Sequence, residues 1–415
     1  MPTGPQHSGV AVLAYNALAS WQKEPWKGKE DELSRFSILP DDLFASDYAD
    51  YCILPDGNAI PHGPTDRFAM VPFSSGYDRS LTRDVFSYYT GRMVAALSSG
   101  NIRESIAFGG ILAHYIADGC HPAHLWNNLS IYSLLPPPAG KYWQMHRSLD
   151  SVSVRADLCR GISPRLLGLD IRETVFNTVD EYERMVQWGK TRLVPAVNAL
   201  YAEDQGGAEI HINTCYKKAA GLLSSLWNTA FCIASGRFED NEIESLKEVK
   251  LNRTVPVNAF TVDPYFFYPL MDYDCDGKGN LVPLTIKAGV QGGGRMMEFA
   301  DGIAMTFGYV MYEIPANLFT KIRVKAGVSP LTAREGEAVF RIIDAKTPPV
   351  YRDAHNTLVD CGGDILYESG IMTGKDAYTD IEVNPGDAEL ITLFVECPGK
   401  NKNIHAIWAE PVLVK

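Results

Sequence analysis

The residues best equipped for chemistry lie between positions 114 and 150: His114-Tyr-Ile-Ala-Asp118, then His124, then His146-Arg-Ser-Leu-Asp150. In a helix, residues four apart share one face about a turn apart, so His114 and Asp118 can grip one cation. His146 and Asp150 repeat the device. Neutral imidazole and carboxylate are zinc-type ligands, and two such pairs with His124 supply donors for more than one ion. One His-x-x-x-Asp pair is commonplace on helix surfaces. Five donors in one short region, in a chain with only nine histidines, point to a multinuclear hydrolytic metal centre.

Helices must position these donors. From Ser8 onward Val10, Leu13, Ala14, Ala17 and Leu18 fall on one stripe, which predicts a buried first helix. Pro40-Asp41-Asp42 reads as a helix start with 43–53 as its body. Residues 81–98 and 102–118 form two more helical patterns, joined by the turn cluster Ser98-Ser99-Gly100-Asn101, which suits an antiparallel pair. In the second, Phe108, Ile111, Leu112 and Tyr115 mark the core stripe. Gly109, Gly110, Ala113 and Ala117 are small enough for neighbouring helices or a metal cluster to come close. Residues 171–202 and 214–235 are again helical in period, and 240–250 is a charged stretch closing this half.

After about residue 251 the pattern changes. β-branched residues alternate with polar ones, and Gly, Pro, Asn and Asp interrupt them every eight to twelve residues or so. Lys321-Ile-Arg-Val-Lys-Ala, Ala338-Val-Phe-Arg-Ile-Ile and Leu390-Ile-Thr-Leu-Phe-Val alternate at period two, the last with Ile391, Leu393 and Val395 as its inward face. The expectation is a multidomain chain: an all-α domain over 1–250, then an all-β sandwich, jelly-roll-like, over 251–415.

A length of 415 residues agrees with two cores, and 46% hydrophobic with 21% charged residues is ordinary for a globular protein. A net charge of −12 leaves no global basic field, so duplex DNA is disfavoured as a partner, although metal ions could hold a phosphodiester locally. The eight cysteines include no Cys-x-x-Cys pair, and no apolar run reaches transmembrane length. The start, Met1-Pro-Thr, is not a signal peptide, so either the protein is cytoplasmic or Met1 stands where a leader was removed.

The stretch Ile111-Leu-Ala-His-Tyr-Ile-Ala-Asp-Gly-Cys-His-Pro-Ala-His124 resembles the signature of the zinc-dependent phospholipases C and the related fungal single-strand nucleases. His114, Asp118, Pro122 and His124 fill its four places, and His146 with Asp150 matches the later His-x-x-x-Glu/Asp. The resemblance implies a two- to three-zinc phosphoric ester hydrolase, secreted or periplasmic, acting on phospholipid or another phosphodiester. It assigns Asp50, His62, His114 and Asp118 to one ion, His124, His146 and Asp150 to a second, and His7 with Asp118 to a third. Asp50, in Tyr48-Ala-Asp50, also takes the catalytic role of orienting the nucleophile or accepting its proton, with Asp47 and Asp56 as rivals. His121 has no place in this scheme and reads as an ordinary loop histidine. The family's N-terminal Trp, which helps bind the third zinc, is missing, since the first Trp is Trp21.

From about Gly292 the chain resembles the NPCBM type of carbohydrate-binding module, through Tyr312-Glu-Ile-Pro315, Phe319 to Ala326-Gly-Val, Glu337-Ala-Val-Phe-Arg-Ile, Asp364-Ile-Leu-Tyr-Glu-Ser369 and Ile407-Trp-Ala-Glu-Pro411. A glycan is the partner this implies. Asp272-Tyr-Asp-Cys-Asp-Gly277 opens like a calcium loop, but position 12 is Pro283, so a tight polar turn is expected instead. The aromatic run Pro264-Tyr-Phe-Phe-Tyr-Pro269 could meet lipid or sugar, although a junction core is the better expectation. A phospholipase C-like enzyme is the first reading and a single-strand nuclease, favoured by Asp150 and Tyr48-Ala-Asp50, the second. A glycan-binding protein with a structural zinc domain is the third.

Overall fold

The helical periodicities of the first half are realised as helices in the computed structural model, which describes residues 5–40, 79–126, 133–138, 145–261, 268–276, 278–289, 294–332, 336–352, 357–398 and 404–415. They are α1 (Pro5–Ala17), α2 (Ser20–Lys23), α3 (Glu30–Ile38), α4 (Arg79–Ser98), α5 (Ile102–Asp118), α6 (Met145–Asp150), α7 (Ile171–Lys190), α8 (Leu193–Tyr201), α9 (Gln205–Ser235) and α10 (Asp240–Ser245). The helix expected over 43–53 lies outside the described residues. Two compact units result, Met1–Leu246 and Lys247–Lys415.

Helix α5 begins where Asn101 accepts a hydrogen bond from the Glu104 N–H at 3.3 Å. Every residue from Ser105 to Asp118 is buried, because α1, α3, α4 and α9 all pack against this helix. Its small residues permit the approach. A Cβ on Gly109 would lie 2.8 Å from the Trp26 ring, and one on Gly110 would lie 2.5 Å from Phe36 Cβ and 2.9 Å from the Phe36 carbonyl carbon. Helices therefore fill the space that the sequence left open to either helices or metal along this stretch.

The pattern over 171–202 divides at Thr191–Arg192, because Pro195 has no N–H to continue the ladder. Helix α9 starts nine residues before the expected 214, capped by Asp204, which accepts from the Gly207 N–H at 2.9 Å. Helix α3 was not anticipated. Its signals were an acidic first turn of Glu30, Asp31 and Glu32, and the buried Leu33 and Phe36. None of the described helices is long and apolar enough to cross a membrane.

The second unit is an antiparallel β-sandwich, accompanied by a three-stranded sheet of β4 (Tyr273–Cys275), β5 (Leu281–Lys287) and β6 (Met296–Phe299) and a two-stranded one of β11 (Val350–Arg352) and β12 (Thr357–Asp360). One sheet contains β3 (Leu270–Met271), β7 (Gly302–Met305), β9 (Lys321–Val328), β14 (Thr379–Val383) and β16 (Ala406–Val414) in the order β14-β9-β16-β7-β3, and β1 (Glu248–Lys250) also pairs with β16. The other runs β13-β10-β15-β8-β2, from β2 (Asn258–Thr261), β8 (Gly308–Glu313), β10 (Val339–Ala345), β13 (Gly363–Glu368) and β15 (Leu390–Glu396). Phe340 on β10 meets Trp408 on β16 edge to face at 5.0 Å, so the two sheets share a core. Ile391, Leu393 and Val395 are buried as expected, but Thr392 and Phe394 are buried too. Strand β15 lies between β10 and β8, and Phe394 on its other face packs edge-on against Phe307 at 6.1 Å.

The acidic run after Leu270 makes a turn. Asp276 accepts from the backbone N–H groups of Lys278 and Asn280, both at 2.9 Å. Asp272 pairs with Arg253 at 2.8 Å, and Asp274 with His405 at 2.8 Å, so the three carboxylates are held by different partners. Of the aromatic run, residues 264–267 lie outside the described residues, and Tyr268 is exposed.

Candidate metal centre

Four short pieces of the helical unit bring the donors together. Helix α1 carries His7 in its first turn, and α5 presents His114 and Asp118 one turn apart at its C-terminal end. That end bears the negative pole of the helix dipole, which favours a cation. A 3-10 turn, Pro122–His124, follows directly, and α6 supplies His146 and Asp150 one turn apart.

Asp118 is the hub of the first group. Its carboxylate oxygens lie 3.6 Å from His7 Nε2, 3.4 Å from His114 Nε2 and 3.3 Å from His124 Nδ1. The His7 and His114 rings stack with centroids 4.2 Å apart. Asp150 is the hub of the second group, 3.2 Å from His124 Nε2, 3.1 Å from His146 Nε2 and 3.6 Å from His121 Nδ1. His124 thus touches both carboxylates, one through each ring nitrogen.

His114 is fixed from behind. Its Nδ1 lies 3.0 Å from the Ser37 carbonyl at the end of α3, an acceptor only, so Nδ1 carries the proton and Nε2 turns a lone pair toward Asp118. His114 Nε2, Asp118 Oδ1 and both ring nitrogens of His121 are buried, with no hydrogen-bond partner among the described residues. Buried polar atoms are seldom left so, and a shared cation would satisfy them. The donor spacings agree, because two ligands on a tetrahedral zinc with bonds of about 2.0–2.1 Å sit about 3.3 Å apart. The residues present therefore fit zinc-type ions.

Burial alone would raise the Asp118 carboxyl pKa, but the facing His124, His114 and His7 outweigh it and hold that pKa well below the ordinary value. Asp150 behaves alike: burial opposes ionisation, while hydrogen bonds from His124 and His146 lower its pKa. Burial, then the neighbouring His124, drives His121 down to about 3 against the pull of Asp150. An anionic carboxylate and, at His121, a neutral imidazole are the protonation states that metal ligands require.

The structure thus brings together His7, His114, Asp118, His124, His146 and Asp150. Asp50 and His62, with the rivals Asp47 and Asp56, lie outside the described residues. His121, which the sequence reading set aside, lies within the cluster and is buried. The signal available for it was its place between two donors of one motif, just before Pro122.

No family model and no curated protein matches the chain. Solved structures do. Alpha toxin from Clostridium absonum aligns over 100% of this chain and 95% of its own, at 11% identity and a TM-score of 0.35. A CBM51 module from Clostridium perfringens GH95, solved with methyl-galactose, covers 40% of this chain and 99% of its own, at 18% identity and a TM-score of 0.29. The CBM51-2 and INT domains of Clostridium perfringens ZmpB cover 41% of this chain at 16% identity and a TM-score of 0.31, and the match spans only 32% of that chain. The chain is thus similar to an alpha toxin along its length and to CBM51 modules in its C-terminal part.

Proposed function

We propose that the chain is a zinc-dependent phosphodiesterase, phospholipase C-like in its reaction, with the hydrolytic centre in its helical unit. The observation that supports this reading best is the fused donor set, two buried carboxylates each ringed by imidazoles and joined through His124. Zinc held there would neutralise phosphodiester charge and lower the pKa of a coordinated water toward ~7. Asp118 and Asp150 supply the anionic hubs, His114 is aimed by the Ser37 carbonyl, and His7 closes the α1 side. By the resemblance of the sequence, His62 and Asp50 complete the ligand set, and Asp50 orients the nucleophilic water or takes its proton. The β-sandwich would serve attachment to a membrane or glycan surface, and a secreted or periplasmic setting suits such a substrate.

The test is hydrolysis of a phosphatidylcholine emulsion, single-stranded DNA and a chromogenic phosphodiester by the zinc-loaded protein, with and without chelator. Release of phosphocholine that chelator abolishes is the expected result. Cleavage of DNA alone moves the protein to the nuclease reading, favoured by the Asp at position 150. If no substrate is cut at full zinc occupancy, the hydrolase reading fails and retention on a glycan array becomes the deciding measurement.

A further inference from the structure

We infer that His121 is itself a metal ligand and that, with His124, His146 and Asp150, it gives the second ion four protein donors. The inference rests on the proposed metal centre, not on what that centre hydrolyses.

His121 is only 2% exposed, and neither of its ring nitrogens has a hydrogen-bond partner among the described residues. An ordinary core histidine donates its ring N–H to a carbonyl or carboxylate, because a buried polar group left without a partner is costly. Here Nδ1 lies 3.6 Å from Asp150 Oδ1, too long for a hydrogen bond but close to the spacing of two ligands on one ion. The same oxygen lies 3.2 Å from His124 Nε2, and donor atoms of His121, His124 and Asp150 all fall within 4.8 Å of one another. His146 reaches the other Asp150 oxygen at 3.1 Å.

The backbone explains how a residue just past α5 arrives there. The His121 N–H still bonds to Ala117 O at 3.1 Å, while Pro122 holds His121 in an extended conformation at φ −76° and ψ 117°. The chain turns out of the helix at that point and re-enters the cluster at His124. Three imidazoles and a carboxylate supply four nitrogen and oxygen donors, as many as a tetrahedral zinc takes. By contrast, His7, His114 and Asp118 offer the other position three donors from the described residues.

The experiment titrates zinc and cobalt into the metal-free full-length protein and its His121→Ala and His121→Gln variants, with far-UV circular dichroism to confirm folding. The wild type should show the intense visible absorption of tetrahedral cobalt. Each variant should lose affinity for one ion by more than the ~10–100-fold that removal of a merely orienting partner costs, and should lose that absorption. A loss within that range with an unchanged cobalt spectrum would make His121 a positioning residue and overturn the inference, as would unchanged affinity. If neither variant folds, wild-type protein loaded with cadmium-113 decides through scalar coupling between the metal and the His121 ring, and no coupling overturns it. Wild type that binds zinc through His121 yet cleaves no phosphodiester leaves this inference standing while the hydrolase reading fails. Failure to bind zinc at all defeats both.

Discussion

Gly110→Ala should loosen the metal centre without touching a donor. The new Cβ would sit 2.5 Å from Phe36 Cβ, 2.9 Å from the Phe36 carbonyl carbon and 3.0 Å from Ser37 N. Carbon atoms normally approach to about 3.5–4.0 Å, so α3 must retreat by about 1 Å, and no side-chain rotation relieves contacts that are backbone and Cβ. Overpacking of this kind costs about 1–3 kcal/mol, while replacing a mid-helix glycine returns about 0.5–1 kcal/mol. The net loss is about 0–2.5 kcal/mol, which lowers Tm by up to roughly 10 °C in a unit of this size. The same retreat breaks the 3.0 Å contact from His114 Nδ1 to Ser37 O, so zinc affinity should fall ~10–100-fold. Calorimetry and competition with a zinc-binding dye read the two effects. Gly221→Ala is the control, because nothing lies within 4 Å of its Cβ and only the helix gain of about 0.5–1 kcal/mol remains. A Gly110→Ala protein as stable as the control, with wild-type zinc affinity, would refute the claim that α3 aims His114.

Asp118→Asn should bind at least one zinc fewer than wild type by elemental analysis and lose chelator-sensitive phosphodiesterase activity, because Asp118 faces His7, His114 and His124 at once. Zinc at 100 times its dissociation constant should add about 2.7 kcal/mol of stability per ion, seen as a Tm drop when chelator is added. Burial, then the charges of Glu242 and Glu239, push the Cys232 thiol up to about 11, so the folded state keeps its proton after the unfolded thiol has lost it near 9. That stability is fully present below about pH 9 and disappears as pH rises toward 11. Tm measured across this window should therefore fall less steeply in Cys232→Ala than in wild type, and parallel profiles would contradict the shift. Asp274→Ala should cost about 1–3 kcal/mol in urea unfolding, because it removes the buried carboxylate that meets His405 Nδ1 at 2.8 Å and accepts from the Cys275 N–H at 2.8 Å.

What sequence could reveal followed from how local each relation is. His114 with Asp118, and His146 with Asp150, are set by one helical turn, so spacing alone paired them. The place of His121 depends on how the chain leaves α5 and where α6 returns, and neither is encoded in a four-residue interval. Strand alternation identified β9, β10 and β15, yet β15 proved buried on both faces because its surroundings, not its own pattern, decide burial. Helix α3 is nine residues long, too short for periodicity to stand out, although it supplies the carbonyl that aims His114. The break between α7 and α8 was written in Pro195, hidden inside an otherwise helical apolar pattern.

In the β unit, Glu248, Val249 and Lys250 pair with Val414, Leu413 and Val412, and the Lys415 N–H bonds to Lys247 O at 3.1 Å. The first and last strands of residues 247–415 are therefore neighbours, and the two ends of this segment lie side by side. Joining those ends and cutting instead at the exposed turn by Gly386 would keep every strand pair, so the order of strands along the chain is separable from their order in space. Such a body can be transplanted whole: a host protein that spares two adjacent positions in one surface loop has already met its geometric requirement.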